Sequence, residues 1–413
     1  MSSSMMVVGN ANGESVVDGT TSYFHIAGRL NTIATEADVE TPIRDAGTFK
    51  NLFTYVATNT ITIDSTVITL RKSQVATSVA VSYGSDQTGI KEDTSNTATF
   101  AATDEVSYEI NAPADAGFNT ISLRVIGIEF VPDTATNSVT FVASTGPFNY
   151  AVASTTRYIA LTGTSIATQS SPGAEAVIQT DAVSSDLYVY ISANARTTDT
   201  TFSTRKNATT GSQSVTYTAG QTGAKEDVVN SDSLAEGDTQ AYEITTGTGT
   251  ETITIITVSS TLITTNNKFF LLAQDSVWTG VPFNTSTFNP PSGGMVSFNT
   301  DEANSQIYPR FSFTVSKFLV NVFTNTIATS ASTVTVRDNG NNGSLTVSYD
   351  AGQSGEKTDG INSDVITSGT DKINYNIVTP NTSGEIRLRQ LSVIADTTAV
   401  TMLSWRSLTG VGL

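Results

Sequence analysis

The chain has 413 residues, only 14% of them charged, and its 38 acidic and 21 basic residues give a formal net charge of -17. This length predicts about three domains, each able to bury its own core. The charge disfavours binding to nucleic acid, the absence of cysteine excludes disulfides and zinc–thiolate sites, and a single histidine excludes histidine-rich metal sites. Thr, Ser, Val and Ile dominate the composition, which is typical of half-buried β-strands.

The N-terminal residues 1–20 are small and polar, apart from a short apolar patch at 5–8. They lack the basic and continuous apolar regions of a signal peptide. No run of about 20 apolar residues that could insert into a membrane follows them. We expect residues 1–20 to form an arm that a neighbouring molecule orders.

The rest of the sequence repeats three times. The most similar segments are SVAVSYGSDQTGIKED (78–93), SVTYTAGQTGAKED (214–227) and SLTVSYDAGQSGEKTD (344–359). In each copy an arginine precedes the motif glutamine by sixteen residues and a tyrosine precedes it by four. These residues are Arg71, Tyr83 and Gln87, then Arg205, Tyr217 and Gln221, then Arg337, Tyr349 and Gln353. Such constant spacing predicts one fold used three times.

Each repeat carries some seven or eight short strands, separated by turns rich in Gly, Asn, Asp and Thr. This spacing predicts an all-β protein of three tandem β-sandwiches, and long crossing connections favour a jelly roll over an immunoglobulin-like order. Sequence alone leaves the strand order open. The predicted parts are the N-terminal arm 1–20, the modules 21–140, 141–265 and 266–397, and the C-terminal tail 398–413.

The third module is predicted to hold an aromatic insertion. If Phe269 corresponds to Tyr23 and Tyr158, about 20 extra residues precede its motif glutamine, and they fall in 277–309. Long loops of this kind often carry function, although an aromatic residue there can equally be a hydrophobic anchor on its own sandwich. The candidate partner contacts are Trp278, Phe283 and Phe288 in this region and Trp405 in the apolar tail.

Charged residues follow the glycine turn of each motif. Lys91-Glu92-Asp93 and Lys225-Glu226-Asp227 could form a calcium site with Asp104 or Asp238, or act as a glycosidase pair. The third copy reads Lys357-Thr358-Asp359, with Asp371 following, so one carboxylate is missing there. Because aspartate at a strand end commonly accepts backbone N–H bonds, we expect a structural role in all three copies.

The repeated arginines and the single histidine are further candidates for a site. The arginines could bind an anionic ligand, but we expect each to pair with a nearby carboxylate. His25 lies in an aromatic strand, and we expect it to be packed or solvent-facing and not catalytic. No phosphate-binding or dinucleotide-binding motif occurs. The residues therefore predict no enzyme and no cofactor.

The segments NLFTYVATNT, ITLRKSQ, VSYGSDQTGIKED and DEVSYEI resemble modules of virion structural proteins of tailed bacteriophages. The resemblance covers the later two-thirds of each module. It implies a non-enzymatic capsid decoration or cement protein that is made in the host cytoplasm and assembled onto the virion. Its partners would be the major capsid protein or other virion proteins, and neighbours would order the arm and the tail around Trp405.

The alternative is a receptor- or glycan-binding protein of a tail or head fibre. Region 277–309 would then contact a host-surface glycan. A secreted carbohydrate-active enzyme is disfavoured, because the sequence shows no signal peptide and its carboxylates recur in several copies.

Overall fold

The computed structural model describes residues 4–29, 32–43, 45–133, 137–164, 172–265, 267–274, 280–295, 299–380 and 383–397. In this part of the chain the regular structure is thirty β-strands and three short 3-10 turns, Glu36–Asp38, Pro172–Ala174 and Glu302–Asn304. The prediction of an all-β protein is confirmed. No helix in these ranges is long and apolar enough to cross a membrane.

Module 1 contains ten strands in two sheets. They are β1 (Met5–Val17), β2 (Thr21–Phe24), β3 (Gly28–Arg29), β4 (Thr41–Pro42), β5 (Gly47–Asn59), β6 (Thr66–Lys72), β7 (Val75–Tyr83), β8 (Gly89–Phe100), β9 (Glu105–Asn111) and β10 (Thr120–Pro132). One sheet has the order β3-β1-β10-β5-β8 and the other β2-β9-β6-β7, with β4 added to β9. The first long strand therefore pairs with the last, β2 with β9, β5 with β8 and β6 with β7. This nested order is a jelly roll, as predicted.

Module 2 repeats the arrangement. Its strands are β11 (Asn137–Tyr150), β12 (Thr156–Ile159), β13 (Gly163–Thr164), β14 (Ala176–Val177), β15 (Ala182–Asn194), β16 (Thr200–Lys206), β17 (Thr209–Tyr217), β18 (Gly223–Leu234), β19 (Thr239–Thr246) and β20 (Ile253–Thr265). The sheet orders are β13-β11-β20-β15-β18 and β12-β19-β16-β17, with β14 beside β19.

Module 3 has the same order with a divided first strand. Its strands are β21 (Lys268–Gln274), β22 (Gly280–Pro282), β23 (Ser286–Asn289), β24 (Gly293–Gly294), β25 (Phe313–Asn325), β26 (Ser332–Asp338), β27 (Asn341–Tyr349), β28 (Gly355–Ile366), β29 (Ile373–Val378) and β30 (Glu385–Asp396). Both β21 and β22 pair with β30, so together they take the place of β1 and β11.

The predicted N-terminal arm is wrong, because β1 is part of the first sheet. Met5 pairs with Phe130, Val17 pairs with Thr120, and Met5, Val7 and Val8 are buried. An irregularity in pairing between Asn10 and Glu14 divides the strand where its sequence is polar, so the strand shows no continuous alternation. The modules accordingly begin with β1, β11 and β21 and end with β10, β20 and β30.

The predicted insertion in module 3 is also wrong. Tyr23 pairs with Glu109 of β9, Tyr158 with Glu243 of β19, and Phe288 with Asn376 of β29, so Phe288 is the true counterpart of the two tyrosines. From these residues to the motif glutamines the distances are 64, 63 and 65 residues. Phe269 lies in β21, one strand earlier, and this misalignment created the apparent extra length.

The three modules contact one another in a closed head-to-tail cycle. At each contact, one module contributes the segment between β2 and β5, or its counterpart in module 2 or 3. This segment lies against the next module, at β15, at β25, or at β8 beside β5. The polar pairs are Asp38 with Tyr190 (2.9 Å), the Gln179 carbonyl with Lys317 (3.3 Å), and Arg310 with Glu92 (2.5 Å). They join module 1 to 2, module 2 to 3, and module 3 back to 1. This is a heterologous interface closed into a ring of three within one chain.

The centre of the ring is formed by the short strands β3, β13 and β24, which touch one another. Gly163 in β13 has φ +108°, and a Cβ built on it would lie 3.1 Å from the Cα of Gly294. Only glycine allows this close approach. Apolar cores also continue across the contacts, since Phe130 of module 1 and Phe141 of module 2 meet edge-on at 5.8 Å. The modules therefore form one body.

Candidate functional site

The repeated glutamine motif joins two turns of its module by hydrogen bonds. The Gln87 side-chain oxygen accepts from the Gly84 amide at 2.9 Å, and the Asn59 side chain donates to the carbonyls of both residues at 3.1 Å. Asn194 with Gln221, and Asn325 with Gln353, repeat these bonds. The asparagine-containing break and the glutamine turn thus hold each other in every module.

The motif tyrosine joins the two sheets of its sandwich. The Tyr217 hydroxyl contacts the carbonyl oxygens of Val189 at 2.7 Å and Gly223 at 2.9 Å, and burial raises its pKa well above the usual value. Lys225 lies over the ring, 5.1 Å from its centre, and donates to Gln221 at 2.7 Å. The charged end of the motif is therefore used in packing.

We expect Tyr217→Phe to destabilise module 2 by about 1–2 kcal/mol, because two buried carbonyls lose their shared donor. The measurement is amide hydrogen exchange in β15 and β17. Tyr158→Phe is the matched control, since its ring is only half buried at the sheet edge. Equal losses of protection in the two variants would contradict the assigned role.

The motif aspartates cap a bulge in the edge strand. Asp93 accepts from the backbone amides of Ala80, Ser95 and Asn96 at 3.0–3.1 Å. Burial acts to raise its pKa, but these bonds outweigh burial and leave the pKa below the usual value. Asp227 and Asp359 make the same bonds. The structural role expected for these carboxylates is confirmed.

The other carboxylates considered as ligands are paired as well. Asp104 bonds Lys72 at 2.8 Å, Asp238 bonds Lys206 at 2.9 Å, and Glu92 pairs with Arg310. Asp371 accepts from the Thr367 amide at 2.6 Å. Within the described ranges, no group of three or more acidic or histidine side chains is arranged to hold a metal ion.

Each repeated arginine pairs with carboxylates, as expected. Arg205 contacts Glu175 at 2.7 Å and Glu243 at 2.9 Å, and its guanidinium lies 4.3 Å from the centre of the Tyr158 ring. Arg71 has the corresponding partners Glu36 and Glu109. In module 3, Arg337 keeps Glu302, at 2.9 Å, but Asn376 stands where the second carboxylate would be.

The first of these carboxylates was missed by sequence reasoning. Glu36 and Glu302 precede their arginines by 35 residues, whereas Glu175 precedes Arg205 by 30. The shorter connection in module 2 breaks the repeat spacing that would otherwise reveal the pair.

His25 is packed at the contact between modules 1 and 2. It is 1% exposed, and its ring nitrogens lie 3.2 and 3.3 Å from the hydroxyl of Thr257 in β20. Burial lowers its pKa to about 3, partly opposed by a hydrogen bond to the Val39 backbone. The neutral ring therefore belongs to the interface.

Module 3 replaces the repeated lysine with an acid. Asp338 occupies the place of Lys72 and Lys206, at the same position of the paired strands. Burial, together with the nearby carboxylates of Asp371 and Asp364, raises its pKa to about 6. Ionised Asp338 thus disfavours the folded module.

We expect Asp338→Lys to stabilise module 3 at pH 7 by on the order of 1 kcal/mol after solvent screening. The acidic pKa is raised on folding, so the penalty is absent below about pH 4 and complete above about pH 6. The part of the gain that comes from removing the buried carboxylate should therefore vanish near pH 4 in a thermal or urea titration. Asp338→Asn, which removes the charge without adding another, isolates this part; a gain of Asp338→Asn that is constant with pH would contradict this origin.

The four predicted partner contacts are not equivalent. Phe283 is 45% exposed in the turn after β22, and Phe288 is half buried in β23 with the Arg337 guanidinium 5.7 Å from its ring centre. Phe288 is thus the module 3 counterpart of Tyr158 in the arginine site, and its role as a partner contact stays a prediction. Trp278 and Trp405 lie outside the described residues.

Each module has two opposite ends, one with the chain ends and one with loops. Because β1 and β10 are antiparallel, the described N-terminal end, residue 397 and the described residues that flank the connections between modules (133, 137, 265 and 267) lie at one end, which we call the base. The turns 18–20, 60–65, 84–88 and 112–119 of module 1 lie at the other, the loop end. Phe118 there is 99% exposed, in a loop fixed by bonds from Thr62 to Asp115. Sequence reasoning had not singled out Phe118.

Comparisons with known proteins add little. No protein-family model and no curated protein sequence matches the chain. Among solved structures, one described as "The Triple Jelly Roll Fold and Turret Assembly in an Archaeal Virus" is 10% identical, covering 95% of this chain and 90% of that chain, with a TM-score of 0.20. A xanthan lyase from Paenibacillus is 12% identical, covering 95% and 50%, with a TM-score of 0.19. Likenesses this weak carry no argument about fold or function.

Proposed function

We propose that the chain is a non-enzymatic structural protein of a virion and that it binds the outer surface of the head as a decoration or cement protein. The observation that carries the proposal is the closed ring of three jelly rolls in one chain. Such a ring presents three related surfaces in fixed positions. It fits a site where three neighbouring capsid subunits, or three capsomers, meet.

The chemistry of the repeated residues supports the same proposal. The motif tyrosine, glutamine, aspartate and arginine all bind within their own module. The repeated residues are therefore used within the modules, and partner binding would fall to the outer surfaces. Once one module of the rigid chain is bound, the other two would be held close to their own sites. Three modest contacts would therefore give high avidity without one tight site.

The direct test is the composition of purified particles. We expect the protein at a copy number fixed relative to the major capsid protein, and a ring of three lobes over three-fold or local three-fold positions in a cryo-EM map. Absence of the protein from particles, or a variable copy number, would overturn the proposal.

The contact that closes the ring gives a sharper test. Arg310 of module 3 pairs with Glu92 of module 1 and lies 5.8 Å from the Phe53 ring centre. Arg310→Glu should open this contact and lower particle occupancy, whereas the double exchange Arg310→Glu with Glu92→Arg should restore both. If hydrogen exchange shows that the contact is open but particle occupancy is unchanged, binding does not require the closed ring, and the proposal is contradicted.

The alternative as a receptor- or glycan-binding fibre protein has lost its main support, because the described strands of 277–309, β22, β23 and β24, have counterparts in modules 1 and 2. Trp278→Ala still discriminates between the two functions. Loss of host-cell binding with unchanged particle occupancy would favour the fibre protein.

A further inference from the structure

Module 2 has an open cleft at its base. Its volume is about 440 Å³, and its lining includes Ala182, Val183, Leu234, Ala235, Ile263 and Asp181. These residues come from the start of β15, the end of β18 and the end of β20. The lining is mostly apolar, and Val183 is 37% exposed.

In module 1 the core at this end of the sandwich is filled with aromatic rings. Phe49 packs against Phe100 at 4.9 Å and against Phe130 at 4.6 Å. Strand register assigns their counterparts in module 2: Phe49 pairs with Phe130 as Ser184 pairs with Leu262, and Gly47 pairs with Phe100 as Ala182 pairs with Leu234. Module 2 therefore lacks all three rings.

Module 3 fills the position in another way. Phe313 takes the place of Ala182 in the register and packs against Phe269 at 5.5 Å and Phe311 at 5.7 Å. Two of the replaced positions line the cleft: Ala182, where module 3 has Phe313, and Leu234, where module 1 has Phe100. Val183 and Ile263 add apolar surface from the opposite face of the sheet. Apolar surface left open in this way marks a binding site for another apolar segment.

We propose that the cleft of module 2 is the docking site of the chain's own C-terminal segment, residues 398–413. The segment contains Val400, Met402, Leu403, Trp405 and Leu408, and its single charged side chain is Arg406. The cleft supplies apolar lining and the carboxylate of Asp181, which also accepts from the Glu236 amide at 3.0 Å. Lys206, which also lines the cleft, is paired with Asp238.

The starting point of the segment favours this occupant. The Thr397 amide donates to the Asn267 carbonyl at 3.2 Å, at the turn between modules 2 and 3. Across that turn, the Thr264 hydroxyl donates to the Lys268 carbonyl, and Thr264 pairs with Ala182 of the cleft. Two hydrogen bonds and one strand pairing thus connect the end of β30 to the cleft. Sixteen residues can span up to about 53 Å when extended, so the segment reaches it easily.

This inference does not depend on the proposed function. From the sequence, we expected a neighbouring virion protein to order the tail. Here a contact within the chain takes that role. It also makes the tail a part of the base of the ring, where it would cover the apolar surface of module 2.

Tryptophan fluorescence of the full chain tests the proposal. The chain has two tryptophans, so Trp278→Phe leaves Trp405 as the only one. We expect its emission to be blue-shifted and its quenching by acrylamide to be several-fold slower than in a free peptide of residues 397–413. Adding Val183→Asp should remove both effects, because a charge would enter the apolar lining.

Thr48→Asp is the matched control, since Thr48 pairs with Thr99 in module 1 as Val183 pairs with Ser233 in module 2. It should leave Trp405 protected, and far-UV circular dichroism should be the same for both variants. Quenching equal to that of the free peptide, or protection that survives Val183→Asp, would overturn the proposal. Protection that disappears on dilution, together with a dimer-to-monomer change in sedimentation, would assign the cleft to a second copy and overturn it too.

Discussion

Replacing Arg205 by methionine should cost module 2 about 3–5 kcal/mol of stability. The Arg205 side chain is 9% exposed and holds two carboxylates, of which Glu175 is 10% and Glu243 is 9% exposed. Methionine preserves much of the side-chain volume but leaves both carboxylates without a cation. Uncompensated charge in a poorly solvated site is the reason for the expected size.

The same substitution in module 3 is the matched control. Arg337 faces one carboxylate, Glu302, whose side chain is 20% exposed, and Asn376 stands in the place of Glu243. We therefore expect Arg337→Met to cost clearly less than Arg205→Met. Hydrogen exchange of amides in β16 and β19, compared with β26 and β29, measures each module separately.

A second variant tests the origin of the loss. Glu243→Gln, combined with Arg205→Met, removes one of the stranded charges and should recover part of the stability. If the two arginine variants lose the same protection, or if Glu243→Gln gives no recovery, the number of buried carboxylates does not set the cost.

The repeat register could be predicted because the residues that carry it serve their own module. Tyr217 bonds to Val189 and Gly223, and Gln221 to the turn that contains it, so each needs a fixed spacing to partners nearby in the fold. The same requirement holds in all three modules. Constant spacing in the sequence therefore reflects a constant set of contacts, and it was enough to predict one fold used three times.

The first strand of each module escaped prediction for a local reason. The register of β1 is irregular between Asn10 and Glu14, that of β11 between Thr145 and Phe148, and module 3 divides the strand into β21 and β22. Each interruption breaks the alternation of apolar and polar residues at a different place. Module 1 was therefore predicted to begin one strand late, at residue 21. In module 3, Phe269 of β21 was matched to Tyr23 of the second strand, and this created the apparent insertion.

The ring could not be predicted from the repeats, because each contact between modules uses different side chains. A tyrosine and an aspartate join modules 1 and 2, a lysine and a glutamine carbonyl join modules 2 and 3, and an arginine and a glutamate close the cycle. Contacts that occur once leave no repeated pattern. A comparison of the three copies therefore cannot reveal the contacts between modules.

His25 should make the contact between modules 1 and 2 sensitive to acid. Its pKa is lowered on folding from 6.5 to about 3, chiefly by burial. For a base with a lowered pKa, the folded state cannot take up the proton that the unfolded chain binds below about pH 6.5. Stability is therefore complete above that pH and falls as the pH decreases toward 3, by about 1.4 kcal/mol per pH unit once the unfolded histidine is charged.

Between pH 7 and pH 4.5, this single residue should account for a loss of about 3 kcal/mol. His25→Gln, which cannot titrate but can still bond Thr257, should lose that much less stability over the same range than the unchanged chain. Thr257→Val is the companion variant: it removes the hydrogen-bond partner in module 2 and leaves the titration in place, so its pH slope should match that of the unchanged chain. Equal slopes for His25→Gln and the unchanged chain would show that a neutral histidine does not hold the contact between modules 1 and 2.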